Sequence, residues 1–384
     1  MPFMSVQSFF PRTLFVPPPI TDLYVAANTA SQKQYFGNWG LPQAYNNVSL
    51  DAPDYVALVA TSVSDVFSNT YSNSMMALTN DGGIFLGGNN YLNLLNPYQS
   101  SAAEYYAVYN DVDLGLGWSK FAKMRGNDGA QFDMPPMIQK QSDGLFYEWG
   151  GYDLFYGDGT NPAYTVPTAT PFNDTFTFVN GAEGITAYNG TESWFIGTAR
   201  WFADMGTIED PYYVTNTWER IVGLPFEPTQ FANSTYADFV LMVDHADQLW
   251  YKYRVDPTPT LLATDVKHLV WSCGDPAFGF INSAGELWII NSSIISNSTS
   301  LHTISPSDPL TDNFHMLQGG PYKSAIYSDW SIGLVAIDTN DDAWLFGWEA
   351  TAWWQSGVAP TKQIIIGKPV QKVVPTYNAM FIIA

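Results

Sequence analysis

The chain of 384 residues carries 15 Lys and Arg against 36 Asp and Glu, a net charge of −21, and is 46% hydrophobic but only 13% charged. A surface that negative repels phosphate backbones and anionic membranes, so no nucleic acid is expected as a partner. No apolar run approaches the roughly 18 residues that a membrane-spanning helix needs, so no membrane insertion is expected, and a single cysteine, Cys273, leaves no intrachain disulfide to form.

In chain order, residues 1–20, "MPFMSVQSFFPRTLFVPPPI", come first as an extended arm. It has no basic stretch ahead of its apolar residues and prolines interrupt them, so it does not read as a secretory signal. Phe3, Phe9, Phe10, Leu14 and Phe15 precede Pro17, Pro18 and Pro19, a run that favours the polyproline conformation. An apolar extended arm must bury its side chains on its own domain or on a neighbour. These eight residues are therefore candidate partner-binding positions.

Residues 21–384 read as one all-β domain built from repeats. "SMMALTNDGGIFLGGNN" (residues 74–90) is a β-prone stretch, an Asp81-Gly82 turn and a second stretch bearing an aromatic residue. The same order recurs in "PMIQKQSDGLFYEWGG" (136–151), "ITAYNGTESWFIG" (185–197), "VLMVDHADQLWYKY" (240–253), "FGFINSAGELWIIN" (278–291) and "GLVAIDTNDDAWLFGW" (333–348), with "YVAANTASQKQYFGNWG" (24–40) as a looser first copy. Asn-Gly and Asp-Gly tolerate the positive φ that tight hairpin turns require. One aromatic marks each second strand: Tyr35, Phe85, Tyr147, Trp194, Trp250, Trp288 and Trp344, with a mean spacing of (344 − 35)/6, about 52 residues. That period suits a β-propeller blade, and seven copies predict seven blades. The C-terminal "NAMFIIA" (378–384) reads as the first strand of an incomplete copy. Its second strand is expected from N-terminal residues, with "QKQYFGNWG" and "LYVAAN" competing for the place, so that pairing of the two ends closes the ring.

At "VKHLVWSCGDPAFGFINSAGELWIIN" (266–291) the chain resembles the repeat of the regulator-of-chromosome-condensation (RCC1) family, and "MMALTNDGGIFLGGNN", "GLFYEWGG" and "FYGDGT" look similar to parts of the same repeat. The resemblance implies a seven-bladed propeller. It is degenerate, since only Ser272-Cys273-Gly274 shows the family's Cys-Gly. The family's chromatin binding is not implied, because it uses a basic tail and residues 1–20 hold one charge, Arg12.

Motifs with chemistry are sparse. Asp338, Asn340, Asp342 and Glu349 stand at positions 1, 3, 5 and 12 of a calcium-binding loop, but position 6 is Ala343 where that loop needs glycine, so an acidic hairpin turn is the preferred reading. His245, His268, His302 and His315 lack the spacing of a zinc site. Glu148, Asp153, Glu183, Glu192 and Glu349 are candidates for the paired carboxylates of a glycosidase, which must lie about 5 to 10 Å apart. Solvated loop acids are the simpler reading. Six N-x-S/T sequons, at Asn47, Asn173, Asn189, Asn233, Asn291 and Asn297, reflect the abundance of these residues in a chain without a secretory signal. The adjacent Trp353 and Trp354 cannot both face inward on a strand and join the arm as candidate partner-binding residues. No catalytic residue, cofactor or metal is assigned. The expectation is a non-enzymatic structural or interaction propeller, held by its arm in a larger assembly such as a virion surface or capsid. Proteins are its partners, with a glycan-binding propeller and a glycoside-processing enzyme as alternatives.

Overall fold

The computed structural model describes residues 23–27, 56–59, 63–68, 75–89, 98, 104–109, 114–122, 124–125, 137–151, 163–181, 184–198, 214–233, 239–253, 258–272, 277–291, 302–303, 314–319, 331–348, 361–364, 367–375 and 379–384. These residues are strands and turns throughout, and their strands form seven sheets.

Sheet I joins the two ends of the chain. Strands β1 (Leu23–Ala27) and β2 (Val56–Val59) come from the N-terminal part. Sheet II is β3 (Val63–Ser68), β4 (Met75–Thr79), β5 (Ile84–Asn89) and β6 (Glu104–Tyr109). After β7 (Trp118–Phe121) a short strand, β8 (Met124–Arg125), crosses to the next sheet. The chain then returns to finish sheet III with β9 (Met137–Lys140), β10 (Phe146–Gly151) and β11 (Ala163–Ala169). Sheet IV is β12 (Thr177–Gly181), β13 (Gly184–Tyr188), β14 (Ser193–Thr198) and β15 (Val214–Arg220). Strand β8 adds to β12 as a parallel fifth strand.

Sheet V is β16 (Gln230–Asn233), β17 (Phe239–Val243), β18 (Leu249–Tyr253) and β19 (Thr260–Ala263). Sheet VI is β20 (Val266–Ser272), β21 (Ala277–Asn282), β22 (Leu287–Asn291) and β23 (His302–Thr303). Sheet VII is β24 (Phe314–Gly319), β25 (Ser331–Asp338), β26 (Ala343–Trp348) and β27 (Thr361–Ile364). Finally β28 (Lys372–Pro375) and β29 (Ala379–Ile383) complete sheet I in the order β2-β1-β29-β28. Strand β1 pairs antiparallel with β29 from Leu23↔Ile383 to Ala27↔Ala379, so the C-terminal hairpin is completed by an N-terminal strand.

The strand that fills this place is "LYVAA", with Tyr24 opposite Ile382 just as Trp250 stands opposite Met242 in sheet V. Tyr24 thus takes the marker-aromatic position expected of Tyr35, which lies outside the described residues. The choice follows from composition: Leu, Val and Ala suit a strand buried against its neighbours better than "QKQYFGNWG" does.

Packing explains why the first strand of the sheet II hairpin is so apolar. All five residues of β4, "MMALT", are buried, because a central strand of a stacked sheet is covered on both faces. Core clusters span successive sheets: Leu78 and Ile84 with Trp118 and Trp149 between II and III, Phe146 with Phe178 and Ile185 between III and IV, and Phe195 with Phe231 and Met242 between IV and V. Further round, Leu249 packs with Leu269 and Phe280, Ile289 with Leu334 and Phe346, and Val335 with Val373 and Ile382. Between sheets I and II, the Lys372 ammonium reaches Asp65 Oδ1 at 2.7 Å and the Val66 carbonyl at 3.1 Å. Asp65 also accepts from the Phe121 amide of sheet III at 3.2 Å, so one carboxylate ties three sheets.

Candidate interaction face

Six hairpin turns, one from each of sheets II to VII, lie at the same end of their sheets and follow one local plan. The residue leaving the first strand of each hairpin is Thr79, Lys140, Asn189, Asp244, Asn282 or Asp338, and the aromatic marker is the second residue of the next strand. In sheet V, Asp244 Oδ1 accepts the amides of Ala246 and Gln248 at 2.8 and 2.9 Å, while Oδ2 accepts the Trp250 indole at 2.9 Å. Sheet VII repeats this arrangement: Asp338 Oδ1 accepts from Asn340 and Asp342 at 2.8 and 3.0 Å, and Oδ2 from the Trp344 indole at 3.1 Å. Both carboxylate oxygens of Asp338, the first position of the calcium-loop spacing, thus accept from N–H donors of their own hairpin.

In sheet III the order is varied. Tyr147 donates its hydroxyl to Asp143 Oδ2 at 2.7 Å, and Asp143 Oδ1 accepts the Leu145 amide at 2.9 Å. The Leu145 amide, then the tyrosine hydroxyl, hold the Asp143 carboxyl below its ordinary value. The same bond to Asp143 raises the Tyr147 phenol.

In five of the six turns a left-handed residue then meets the next sheet, whereas the Gly144 carbonyl of sheet III accepts the side-chain amide of Gln139 in its own sheet at 2.7 Å. The Gly82 carbonyl (φ 81°) accepts the Trp118 amide at 3.2 Å, and the Asp247 carbonyl (φ 57°) that of Val266 at 2.9 Å. The Gly285 carbonyl (φ 79°) accepts from Phe314 at 3.1 Å, and that of Asp341 (φ 61°) from Val370 at 2.8 Å. Between sheets IV and V a side chain does this work: His245 Nε2 donates to the Gly190 carbonyl at 2.8 Å, because a carbonyl oxygen can only accept. At Gly82 the approach leaves no room for a side chain, since a Cβ would stand 2.9 Å from the Trp118 carbonyl oxygen.

The face made by these turns is acidic. Asp81, Asp143, Asp265, Glu286 and Asp341 are exposed on it, and Lys267 and Lys368 are exposed cations there. Lys267 lies against Asp247 and 3.9 Å from Asp265, and the bond to Asp247 raises its ammonium above the ordinary lysine value.

Two of the glycosidase candidates, Glu148 and Glu192, are among the described residues. Glu148 is buried, 2% exposed, with the Trp218 indole 3.4 Å from its Oε1, whereas Glu192 belongs to the turn between β13 and β14 and donates its amide to Asn189. Asp153, Glu183 and Glu349 lie outside the described residues, as do Phe3, Phe9, Phe10, Leu14, Phe15, Pro17, Pro18, Pro19, Trp353 and Trp354. Of the marker aromatics, Tyr24, Tyr147, Trp194, Trp288 and Trp344 pack against the clusters between sheets. Sequons 173 and 189 are turns in which the asparagine Oδ1 accepts its own threonine hydroxyl, at 2.7 and 2.8 Å. Sequence reasoning missed the carbonyl bonds between sheets. The recurring left-handed turn residue was their only local signal.

A search of known families and one of curated proteins find no match to the sequence. Solved structures do match. Human WBSCR16 aligns over 95% of this chain and 98% of its own, with a TM-score of 0.64 at 12% identity. Saccharomyces cerevisiae Prp20p aligns over 95% and 91%, with a TM-score of 0.57 at 10% identity. Yeast RCC1 (Prp20) in its complex with Kap60 aligns over 95% and 88%, with a TM-score of 0.59 at 10% identity. The chain has the RCC1-like propeller fold. At such identities the likeness carries the fold and not the activity. The RCC1-like resemblance, read from the sequence over most of residues 20–384, is matched as architecture over 95% of the chain.

Proposed function

We propose that this RCC1-like propeller is a non-enzymatic protein-interaction module, held by residues 1–20 in a larger assembly such as a virion surface or capsid. The observation that carries the reading is the fold match over 95% of the chain to propellers recorded with protein partners. Among them, Prp20p is described with binding to Gsp1p and histones, and yeast RCC1 in complex with Kap60. The geometry supports the same reading. The polar groups of the turns serve hairpins and contacts between sheets, Glu148 is buried against the Trp218 indole, and Glu192 belongs to a hairpin turn. An apolar arm bearing four phenylalanines, Leu14 and three consecutive prolines supplies a tether that needs a surface to cover it.

The test compares the full chain with a version lacking residues 1–20, both expressed in the cell that makes the protein. The truncated chain is expected to keep the thermal transition of the full chain and to sediment alone, at least tenfold depleted from the large species. Equal co-sedimentation of the two would sink the tether.

A further inference from the structure

Strand β1 opens at Leu23, opposite Ile383 at the end of β29. In sheets II to VII that end of the central strand pair is closed by a hairpin turn. The start of sheet I's other edge lies at the same end, because the Val370 amide just before β28 binds the Asp341 carbonyl of the sheet VII turn. Whatever precedes Leu23 therefore joins the propeller on the turn face, beside sheet II.

Two apolar side chains stand out on that face, each in a loop that leads from the last strand of one sheet to the first of the next. Leu116 is 58% exposed between Gly115 and Gly117, both at positive φ. Its backbone is fixed from two sides, by the Gln141 amide on the Gly117 carbonyl at 2.8 Å and by the Trp118 amide on the Gly82 carbonyl at 3.2 Å. Val222 is 57% exposed in the corresponding loop before β16, followed by Gly223 at φ 78°. The turns on either side of Leu116 carry the exposed Asp81 and Asp143.

We infer that the turn face is the surface turned toward the assembly, and that the protein surface opposite it presents basic side chains around apolar recesses that receive Leu116 and Val222. The inference rests on the reading of residues 1–20 as a tether. A partner held by such a tether meets the face from which the tether springs at a high effective concentration, so weak contacts there add to the tether's own. Twenty extended residues span at most about 70 Å, which keeps that partner near the propeller. The rigid backbone around Leu116 lowers the ordering cost of a contact, and the carboxylates around it favour cationic neighbours.

Hydroxyl-radical footprinting of the full chain, free and in the large species with which it sediments, tests this. Leu116 and Val222 are expected to lose labelling in the assembly. Tyr98, 48% exposed in the loop between β5 and β6 at the opposite end of its sheet, is expected to keep its labelling. Leu116→Lys, with the arm intact and the thermal transition unchanged, is expected to lower incorporation at least tenfold, and Tyr98→Lys to leave it unchanged. Protection of Tyr98 with unaltered labelling of Leu116 and Val222 overturns the inference. So does full incorporation of Leu116→Lys, and both results leave the tether standing if the truncated chain still fails to join. Incorporation of the chain lacking residues 1–20 removes the tether and, with it, the ground for this inference.

Discussion

Asp244 and Asn282 occupy the same place in their hairpins, yet they treat the following tryptophan differently. The Asp244 carboxylate has an oxygen for the Trp250 indole. Asn282 uses its Oδ1 for the amides of Ala284 and Glu286 at 3.1 and 2.9 Å, and turns its Nδ2 toward Glu286 Oε2 at 2.7 Å. An amide nitrogen cannot accept, and the buried Trp288 Nε1 is left without an acceptor among the described residues. A buried donor without a partner costs about 1–3 kcal/mol. The double change Asn282→Asp with Glu286→Gln copies the Asp244 and Gln248 pair of sheet V and avoids placing two carboxylates together. It is expected to stabilise the chain by about 1 kcal/mol. A raised thermal midpoint and a downfield shift of the Trp288 indole proton are the readouts; an unchanged indole resonance would mean that the new carboxylate does not reach it.

At the scale of the hairpin, turn chemistry made sheets II to VII legible from sequence. Asp-Gly and Asn-Gly pairs, or an aspartate able to adopt positive φ, are local signals, and they fall where the left-handed residues stand. The placement of Tyr24 was harder to read, because its partner strand lies at the other end of the chain and no local pattern encodes that pairing. Strand β8 left no readable pattern either: two residues in a parallel bridge are too few for periodicity to show. The turn face is likewise a composite of residues from six separate repeats, so neither its acidity nor the exposure of Leu116 could be read from any one of them. Gly82 and Gly367 separate turn conformation from contact between sheets. Both have positive φ, but a Cβ at Gly367 would meet nothing within 4 Å, whereas at Gly82 it would meet the Trp118 carbonyl oxygen at 2.9 Å. Gly367→Ala is expected to cost about 1–2 kcal/mol, the cost of left-handed backbone alone. Gly82→Ala is expected to cost clearly more in chemical denaturation. Equal costs would show that the backbone of sheet III gives way without penalty.

For the molecule as a whole, the arrangement depends on one pairing that joins the two ends of the chain. Sheets II to VII are each built from local hairpins, whereas sheet I needs β1 to reach β29. The Lys372–Asp65 ion pair, with side chains 29% and 16% exposed, then binds sheet I to sheet II. If this pairing closes the propeller, removing β1 must do more than remove five residues. It uncovers one edge of β29, where Met380, Phe381 and Ile382 are fully buried, and takes away Tyr24, which packs on the cluster shared by sheets VII and I. A chain lacking residues 1–20 is therefore expected to melt as the full chain does. One lacking residues 1–27 is expected to melt lower and over a broader range, with amide protons of β28 and β29 exchanging first. A peptide with the sequence of residues 21–30, added in excess, should restore part of the lost stability by occupying the vacant edge. Identical melting of the two truncated chains would show that the ends of the molecule hold together without β1, and closure would then have to rest on the contacts of sheet I with its neighbours alone.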